Sequence, residues 1–128
     1  MGKKALRNPA ARPSQVSLSA GLIAGPLAFL SGQVGTDPAT GELSGPSVDA
    51  QTRQVLQNVQ AVLADAGLDM TDVVKTTVYL TNMADFRSMN EVYRQFFSEP
   101  MPARTTVGVA GLARPEFVVE IDVVALQR

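Results

Sequence analysis

Apolar residues recur along this chain with two different periods, and these periods predict its secondary structure. The short runs Val16–Ser19 and Leu27–Val34, separated by a glycine-rich turn, are typical of a β-hairpin. A loop rich in Gly, Pro, Asp and Thr follows at residues 36–46. Beyond it, apolar residues spaced by three and four predict a helix, with Ser47 as its N-cap and Gly67 at its C-terminal end.

The second half of the chain predicts three further strands and a second helix. Val73–Leu80 is rich in β-branched residues and has the length of a strand. An apolar stripe at helical spacing then runs from Ala84 to Phe97, and two prolines soon after it end the helix. The last two predicted strands are Arg104–Ala110 and Phe117–Leu126.

The final strand separates its side chains into two faces. Its odd-numbered residues are all apolar, whereas the even-numbered residues include Glu120 and Asp122. Together with the element order, this predicts an α+β fold in which one mixed sheet carries both helices on the same face. No third helix is available to cover the other face, which is partly apolar. We therefore expect a homo-oligomer in which other copies of the chain cover it.

The composition narrows the chemistry that this chain can perform. Its 128 residues include no His, Cys or Trp. A disulfide framework, a thiolate nucleophile, a Ser-His-Asp triad and a zinc site with Cys or His ligands are therefore excluded. Any reaction must use arginine, carboxylates, hydroxyls, amides, backbone groups and water, and we expect no metal.

The charge and the N-terminus indicate few macromolecular partners. Eleven basic residues against twelve acidic ones give a net charge of −1, so we expect no nucleic-acid partner. No apolar run reaches the ~20 residues of a membrane span, and Gly and Pro interrupt the stretch that superficially resembles a signal peptide. We expect residues 1–13, which carry four cations, to form a flexible basic arm, and residues 14–128 to form a single domain.

Three polar residues stand at positions where a fold holds a side chain firmly. Arg104 begins a strand after a proline, and a guanidinium held on a strand suits a two-point grip on a carboxylate. Glu120 lies in the middle of a strand, and Asn90 lies on the apolar stripe of the second helix. If their strands are neighbours, Arg104 and Glu120 lie near one another. The residue types alone also allow a structural ion pair, a solvent-facing glutamate and an asparagine that only tethers a loop.

Taken in order, the motifs resemble the Rid family of reactive-intermediate deaminases, also called the YjgF family. The similarity begins near Phe29 and extends to the C-terminus. It is carried by FLSGQ (29–33), QTRQ (51–54), Asn58, DVVKTTVYL (72–80), MN (89–90), PARTTV (102–107) and VEI (119–121). The PAR segment followed by VEI at this spacing is a specific marker of the family.

The resemblance implies a chorismate-mutase-like fold assembled as a homotrimer, in which three sheets form a barrel and each site lies between subunits. It implies a cytoplasmic enzyme that hydrolyses 2-imino and 2-enamino acids, such as 2-aminoacrylate, to 2-keto acids and ammonia. Small 2-imino and 2-keto acids are thus the expected ligands, and no cofactor is implied. A protonated imine is already electrophilic, so orientation, water and a proton carrier are sufficient.

The resemblance also implies roles for individual residues. Arg104 would bind the substrate carboxylate, Glu120 would position or activate the attacking water, and the backbone of Thr106 would contact the imine or carboxylate region. The remaining pocket residues would be Ser31, Gly32 and Asn90.

The chain departs from the family pattern near its N-terminus. Deaminases of the family usually carry a Tyr there, next to a proline, whereas this chain reads PSQVSL at residues 13–18. A Cys that often follows the arginine by two residues is Thr106 here. Two alternative functions therefore stay open. One is a non-catalytic trimer that binds small carboxylates for regulation. The other, RNA cleavage, is disfavoured by the balanced charge.

Overall fold

The structure, a computed structural model, describes residues 2–13 and 16–128. Within these ranges the chain forms a six-stranded sheet and two α-helices: β1 (Lys3–Leu6), β2 (Gly21–Ala24), β3 (Leu27–Val34), α1 (Val48–Ala64), β4 (Val73–Leu80), α2 (Phe86–Tyr93), β5 (Ala103–Gly108) and β6 (Val119–Leu126). The strand order is β1-β2-β3-β6-β4-β5. β4 and β5 are parallel, and all other neighbours are antiparallel. The predicted α+β class with a mixed sheet is confirmed.

Both helices pack against one face of the sheet, as the sequence predicts. Val119, Ile121 and Val123 of β6 are at most 1% exposed and belong to the same buried cluster as the apolar residues of α1 and α2. Glu120 and Asp122, which alternate with them, are only half-buried. Below, "the open face" means the opposite face of the sheet, onto which these even-numbered residues of β6 project.

The predicted ends of the first helix are confirmed. Ser47 is its N-cap, and the Ser47 Oγ accepts a hydrogen bond from the Ala50 N–H at 3.3 Å. After α1 the chain reverses through Gly67, whose φ of +72° is the left-handed conformation that glycine adopts without strain. Among the described residues, no helix is both long and apolar enough to cross a bilayer.

Two buried amide side chains on α1 fix the strands on either side of it. The Gln51 side chain, fully buried, donates to the Glu116 carbonyl and accepts from the Val118 N–H, both at 3.0 Å. The Asn58 amide donates to the Val34 carbonyl, also at 3.0 Å. The start of β6 and the end of β3 are thereby held against the helix.

The N-terminal hairpin lies later in the chain than predicted. Its first strand is β2 (Gly21–Ala24), so the prediction of a strand at Val16–Ser19 is wrong. Ala24 pairs directly with Leu27, which leaves a two-residue turn. Such a turn needs a positive φ, and Gly25 supplies it at +60°. The position of this glycine therefore sets the register of the hairpin.

Residues 3–6 differ from the flexible arm that the sequence analysis expects. They form β1, an edge strand antiparallel to β2, and Leu6 at its end is only 3% exposed. The Arg7 N–H also donates to the Asp65 carboxylate at 3.0 Å. The two lysines of β1 are exposed, as is common on an edge strand. Because lysines are also common in flexible tails, the sequence alone indicated an arm rather than a strand.

The second helix is shorter than the predicted span of 84–97. A 3₁₀ turn, Met83–Asp85, precedes α2. After Tyr93 the backbone hydrogen bonds span three residues instead of the four of an α-helix, since the Phe96 N–H donates to the Tyr93 carbonyl. Phe97 still packs into the core from the turn that follows, which is why the apolar stripe reads as a longer helix.

Candidate functional site

Arg104 is held in one orientation on the helix side of β5. Its Nη1 donates to the Asn90 Oδ1 at 2.7 Å. Its Cζ lies 4.6 Å from the ring centroid of Tyr93 and 5.4 Å from that of Phe86. Stacking of a guanidinium on aromatic faces and a hydrogen bond in its plane restrict both its tilt and its rotation. Arg104 and Asn90 are therefore in direct contact.

The sequence of α2 explains why these groups converge. Phe86, Asn90 and Tyr93 are spaced by four and three residues, so they share one face of the helix. Tyr93 is buried, and its hydroxyl is hydrogen-bonded to the buried Thr76 hydroxyl at 2.8 Å. Thr76 lies beside Arg104 in the β4–β5 register. Burial raises the pKa of Tyr93, so the phenol beneath the guanidinium is neutral.

Arg104 has no acidic partner among the described residues. The ion pairs there join Arg128 to Asp69 and Asp72, far from this site in sequence. Arg104 instead lines a cleft of about 350 Å³ together with Asn90, Tyr93, Arg94, Met101 and Pro102. A half-buried guanidinium that keeps donors free at a cleft is suited to bind a carboxylate through two hydrogen bonds.

Glu120 lies apart from the Arg104 cleft, on the open face of the sheet, directly against Gly32. A Cβ added to Gly32 would clash with the Glu120 carboxylate, so no larger residue fits there without moving that side chain. A register shift between Leu30 and Gln33 opens β3 at this point. The Ser31 hydroxyl donates to the Ser19 carbonyl at 2.6 Å. Ser31 and Gly32 also line a cleft of about 580 Å³.

The surroundings of Glu120 favour its protonated form. Its burial, followed by the nearby charge of Asp122, raises the pKa of the Glu120 carboxyl. Tyr79 lies beside Glu120 in the β4–β6 register, and its hydroxyl donates to the Asp122 Oδ2 at 2.8 Å. That hydrogen bond also raises the pKa of Tyr79. A raised pKa means that this carboxyl holds its proton more firmly than an exposed glutamate does.

The two places lie on opposite faces of the sheet. Arg104 pairs with Thr76, which is buried beneath the helices, whereas Glu120 pairs with Tyr79, which alternates to the open face. The sequence analysis placed Arg104 near Glu120 on the condition that their strands are neighbours, and this condition is not met within one protomer. The reason is that β4 is inserted between β5 and β6, so the two strands are not neighbours.

The six predicted site residues thus separate into two groups. Arg104, Thr106 and Asn90 belong to the helix side of the sheet; Thr106 lies beside Val78 and, by alternation, shares a face with Arg104. The other group, at the open-face glutamate, consists of Ser31, Gly32 and Glu120. Each group is assembled by adjacent elements, but nothing within the described protomer joins one to the other.

The sequence analysis did not predict the two aromatic rings, Phe86 and Tyr93, on which the Arg104 guanidinium stacks. Phe86 and Tyr93 are predicted only as members of an apolar stripe. One sequence feature could have indicated a polar cluster here: Tyr93 lies on the apolar stripe about one turn from Asn90, and a buried tyrosine hydroxyl needs a hydrogen-bond partner. At the N-terminus, Ser14 and Gln15, where the family tyrosine would stand, lie outside the described residues.

The described residues offer no obvious metal cage. Across residues 2–13 and 16–128, no group of three or more His, Cys, Asp or Glu side chains is placed to hold an ion. What the two groups offer instead is a fixed cation, a carboxyl with a raised pKa, hydroxyls and amides.

A family model, related sequences and solved structures all show similarity to this chain over most of its length. A family model described as Endoribonuclease L-PSP matches residues 9–127. The human 2-iminobutanoate/2-iminopropanoate deaminase is 42% identical over 99 residues, which cover 77% of this chain and 72% of that protein. A Lactococcus lactis relative, AldR, whose name describes it as a candidate regulator, is 43% identical over 105 residues, 82% of each chain. The crystal structure of YyfA from Yersinia pestis, described as a protein of the conserved Rid family, superposes with a TM-score of 0.92 at 34% identity, covering 98% of this chain and 99% of that one.

Proposed function

This chain belongs to the Endoribonuclease L-PSP family, which includes the Rid proteins, and we propose that it hydrolyses small 2-imino acids and their enamine tautomers. In the reaction, water adds to the carbon of the C=N bond and forms a carbinolamine. The nitrogen then takes a proton, the C–N bond breaks, and a 2-keto acid and ammonia are released. One water is consumed, and no oxidant or reductant is needed.

The observation that carries the proposal is the half-buried Arg104, which has no acidic partner among the described residues. Its guanidinium is fixed by Asn90 and Tyr93 at the edge of a cleft that suits a small acid. A two-point hydrogen bond to the substrate carboxylate would leave the neighbouring C=N carbon in a fixed place. Fixing a reacting carbon in this way supplies much of the rate that an already electrophilic imine requires.

Glu120 would act as the proton carrier. Because burial and Asp122 raise its pKa, the protonated and ionised forms are closer in free energy near neutral pH than for an exposed glutamate. The ionised form would accept a proton from the attacking water, and the protonated form would deliver it to the departing nitrogen. Ser31 and Gly32 would line the same end of the pocket, and the Thr106 backbone would contact the imine or carboxylate region.

For Arg104 and Glu120 to act on one substrate, they must come from different protomers. We propose the homotrimer implied by the family, with a chorismate-mutase-like barrel formed by three open faces. Support comes from the apolar side chains that the protomer leaves uncovered on this face, since Phe29 is 43%, Val107 37% and Leu126 51% exposed. In such a ring, the Glu120 group of each subunit would face the Arg104 group of the next.

An imine-trapping assay tests the activity. L-Amino-acid oxidase generates 2-iminobutanoate, and semicarbazide traps whatever imine remains. The wild-type protein should lower the yield of semicarbazone, whereas Arg104→Ala and Glu120→Gln should not. Arg87→Ala serves as the control, because Arg87 is an exposed arginine of α2 outside the cleft. Unchanged semicarbazone with wild type, or full activity in Arg104→Ala, would show the proposal to be wrong.

A second candidate is a trimer that binds small carboxylates without turning them over. The absence of the family tyrosine favours it, and so does the similarity to AldR. This protein would bind 2-oxobutanoate in calorimetry, lose that binding in Arg104→Ala, and leave the trapped imine unchanged. The two candidates thus share one binding site and differ in the trapping assay.

A further inference from the structure

A second arginine lines the same cleft as Arg104. Arg94 follows the last residue of α2 and stands at its C-cap. The cleft is lined by Asn90, Tyr93, Arg94, Met101, Pro102 and Arg104, so its lining includes two arginines and no acidic residue. Two cations around one small cavity create a field that favours a ligand with two negative charges.

The two arginines are held differently. Arg104 is half-buried and fixed by Asn90 and the Tyr93 ring. Arg94 is exposed, and its guanidinium makes no ion pair within the part of the chain that the structure describes. A fixed cation defines where a first carboxylate binds, and an exposed arginine that makes no ion pair can reorient toward a second acidic group.

The size and lining of the cleft agree with a small ligand. Its volume of about 350 Å³ falls within the ~300–1,000 Å³ of small-molecule sites. Met101 and Pro102 add apolar surface to the lining of the cleft, which suits a short methylene chain. A monocarboxylic imino acid would use Arg104 alone and leave Arg94 unused.

We propose that Arg94 is a specificity-determining residue that selects substrates with a second carboxylate, namely 2-imino dicarboxylic acids of four or five carbons. The α-carboxylate binds Arg104, and the distal carboxylate binds Arg94. This rests on the proposed function for the identity of the reacting group, but the preference for two carboxylates is a property of the cleft itself and can be measured without turnover.

A structural role for Arg94 is the competing explanation. A cation at a helix C-terminus interacts favourably with the helix dipole, and that effect would appear in stability alone. The test must therefore measure ligand preference. Arg87 provides a matched control, because it is exposed on α2 seven residues earlier, about 10 Å along the same side of the helix, and does not line the cleft.

Calorimetry on the full-length protein with two stable 2-keto acids separates these explanations. Wild type should bind 2-oxoglutarate about tenfold more tightly than 2-oxobutanoate, as expected for one added charge-assisted hydrogen bond. Arg94→Gln should reduce this ratio to about one, and Arg94→Lys should restore part of it. Arg87→Gln should keep the wild-type ratio. Added salt should lower the ratio in wild type, because Arg94 is exposed.

The inference is overturned if wild type shows no preference for the dicarboxylate, if Arg94→Gln keeps the wild-type ratio, or if neither acid binds. The trapping assay, repeated with imines made from glutamate and from 2-aminobutyrate, tests the proposed function separately. A protein that prefers 2-oxoglutarate through Arg94 but hydrolyses neither imine would disprove the hydrolase and leave the assignment of Arg94 standing.

Discussion

Two inactive variants of this protein should recover activity when their subunits are mixed. Arg104→Ala removes the proposed carboxylate-binding group, and Glu120→Ala removes the proposed proton carrier, so each variant alone lacks one group of the proposed site. The two residues lie on opposite faces of the sheet, since Arg104 pairs with buried Thr76 and Glu120 with Tyr79 on the open face. Under the proposed function, a complete site therefore needs an arginine from one subunit and a glutamate from another.

The size of the recovery follows from counting interfaces. In a closed ring, each interface joins the Arg104 side of one subunit to the Glu120 side of the next. With equal amounts of the two variants assembled at random, the first subunit carries its arginine half of the time, and the second carries its glutamate half of the time. About one quarter of the sites should then be intact, so the mixture should show about 25% of wild-type activity.

The assay is semicarbazide trapping of 2-iminobutanoate after the two variants have been unfolded and refolded together. Each variant refolded alone is the background, and the variants mixed without refolding report how fast subunits exchange. Wild type refolded with Arg104→Ala gives a second calibration, because about half of its sites should be intact by the same counting. Recovery no greater than the background would refute a site shared between subunits, provided that refolded wild type regains its activity.

Three further predictions concern single positions. Burial and Asp122 raise the pKa of Glu120 in the folded state, so the fold favours the protonated carboxyl over the ionised one. The contribution of Glu120 to the free energy of unfolding is therefore fully present below the ordinary pKa of 4.5 and is lost as the pH rises through the raised value. Glu120→Gln should therefore melt at a higher temperature than wild type at neutral pH, with a smaller difference near about pH 4; a difference independent of pH would contradict this. Gly32→Ala should displace the Glu120 carboxylate and lower kcat about 100-fold, whereas Gly111→Ala, whose added Cβ meets no described atom within 4 Å, should retain activity. Tyr93→Phe leaves the buried Thr76 hydroxyl without its partner and should lower the free energy of unfolding by about 1–3 kcal/mol in urea titrations; a cost as large in a Thr76→Val background would show that the hydrogen bond is not the cause.

The sequence was a good guide wherever one local pattern decided the outcome. The β-branched run Val73–Leu80 forms β4 with the predicted ends, and Ser47 caps α1. The alternation in β6 identified the buried face, because a strand has a strict period of two. The errors occurred where two signals competed. Because its lysines are exposed, the edge strand β1 was not predicted. Because the apolar stripe of α2 continues into the following turn, the predicted helix was longer than the observed one.

The candidate site shows the same division. The sequence by itself determined which groups are available: a chain without His or Cys offers arginine, carboxylates, hydroxyls and amides, and the order of its motifs indicated the family. The tertiary structure alone decided how they are arranged. Strand order is set by long-range pairing, which leaves no local signature, and the insertion of β4 between β5 and β6 places the arginine and the glutamate on opposite faces. For the same reason, the sequence did not indicate that Tyr93 lies beneath Arg104 or that Arg94 lines the same cleft, because both depend on how α2 packs against the sheet.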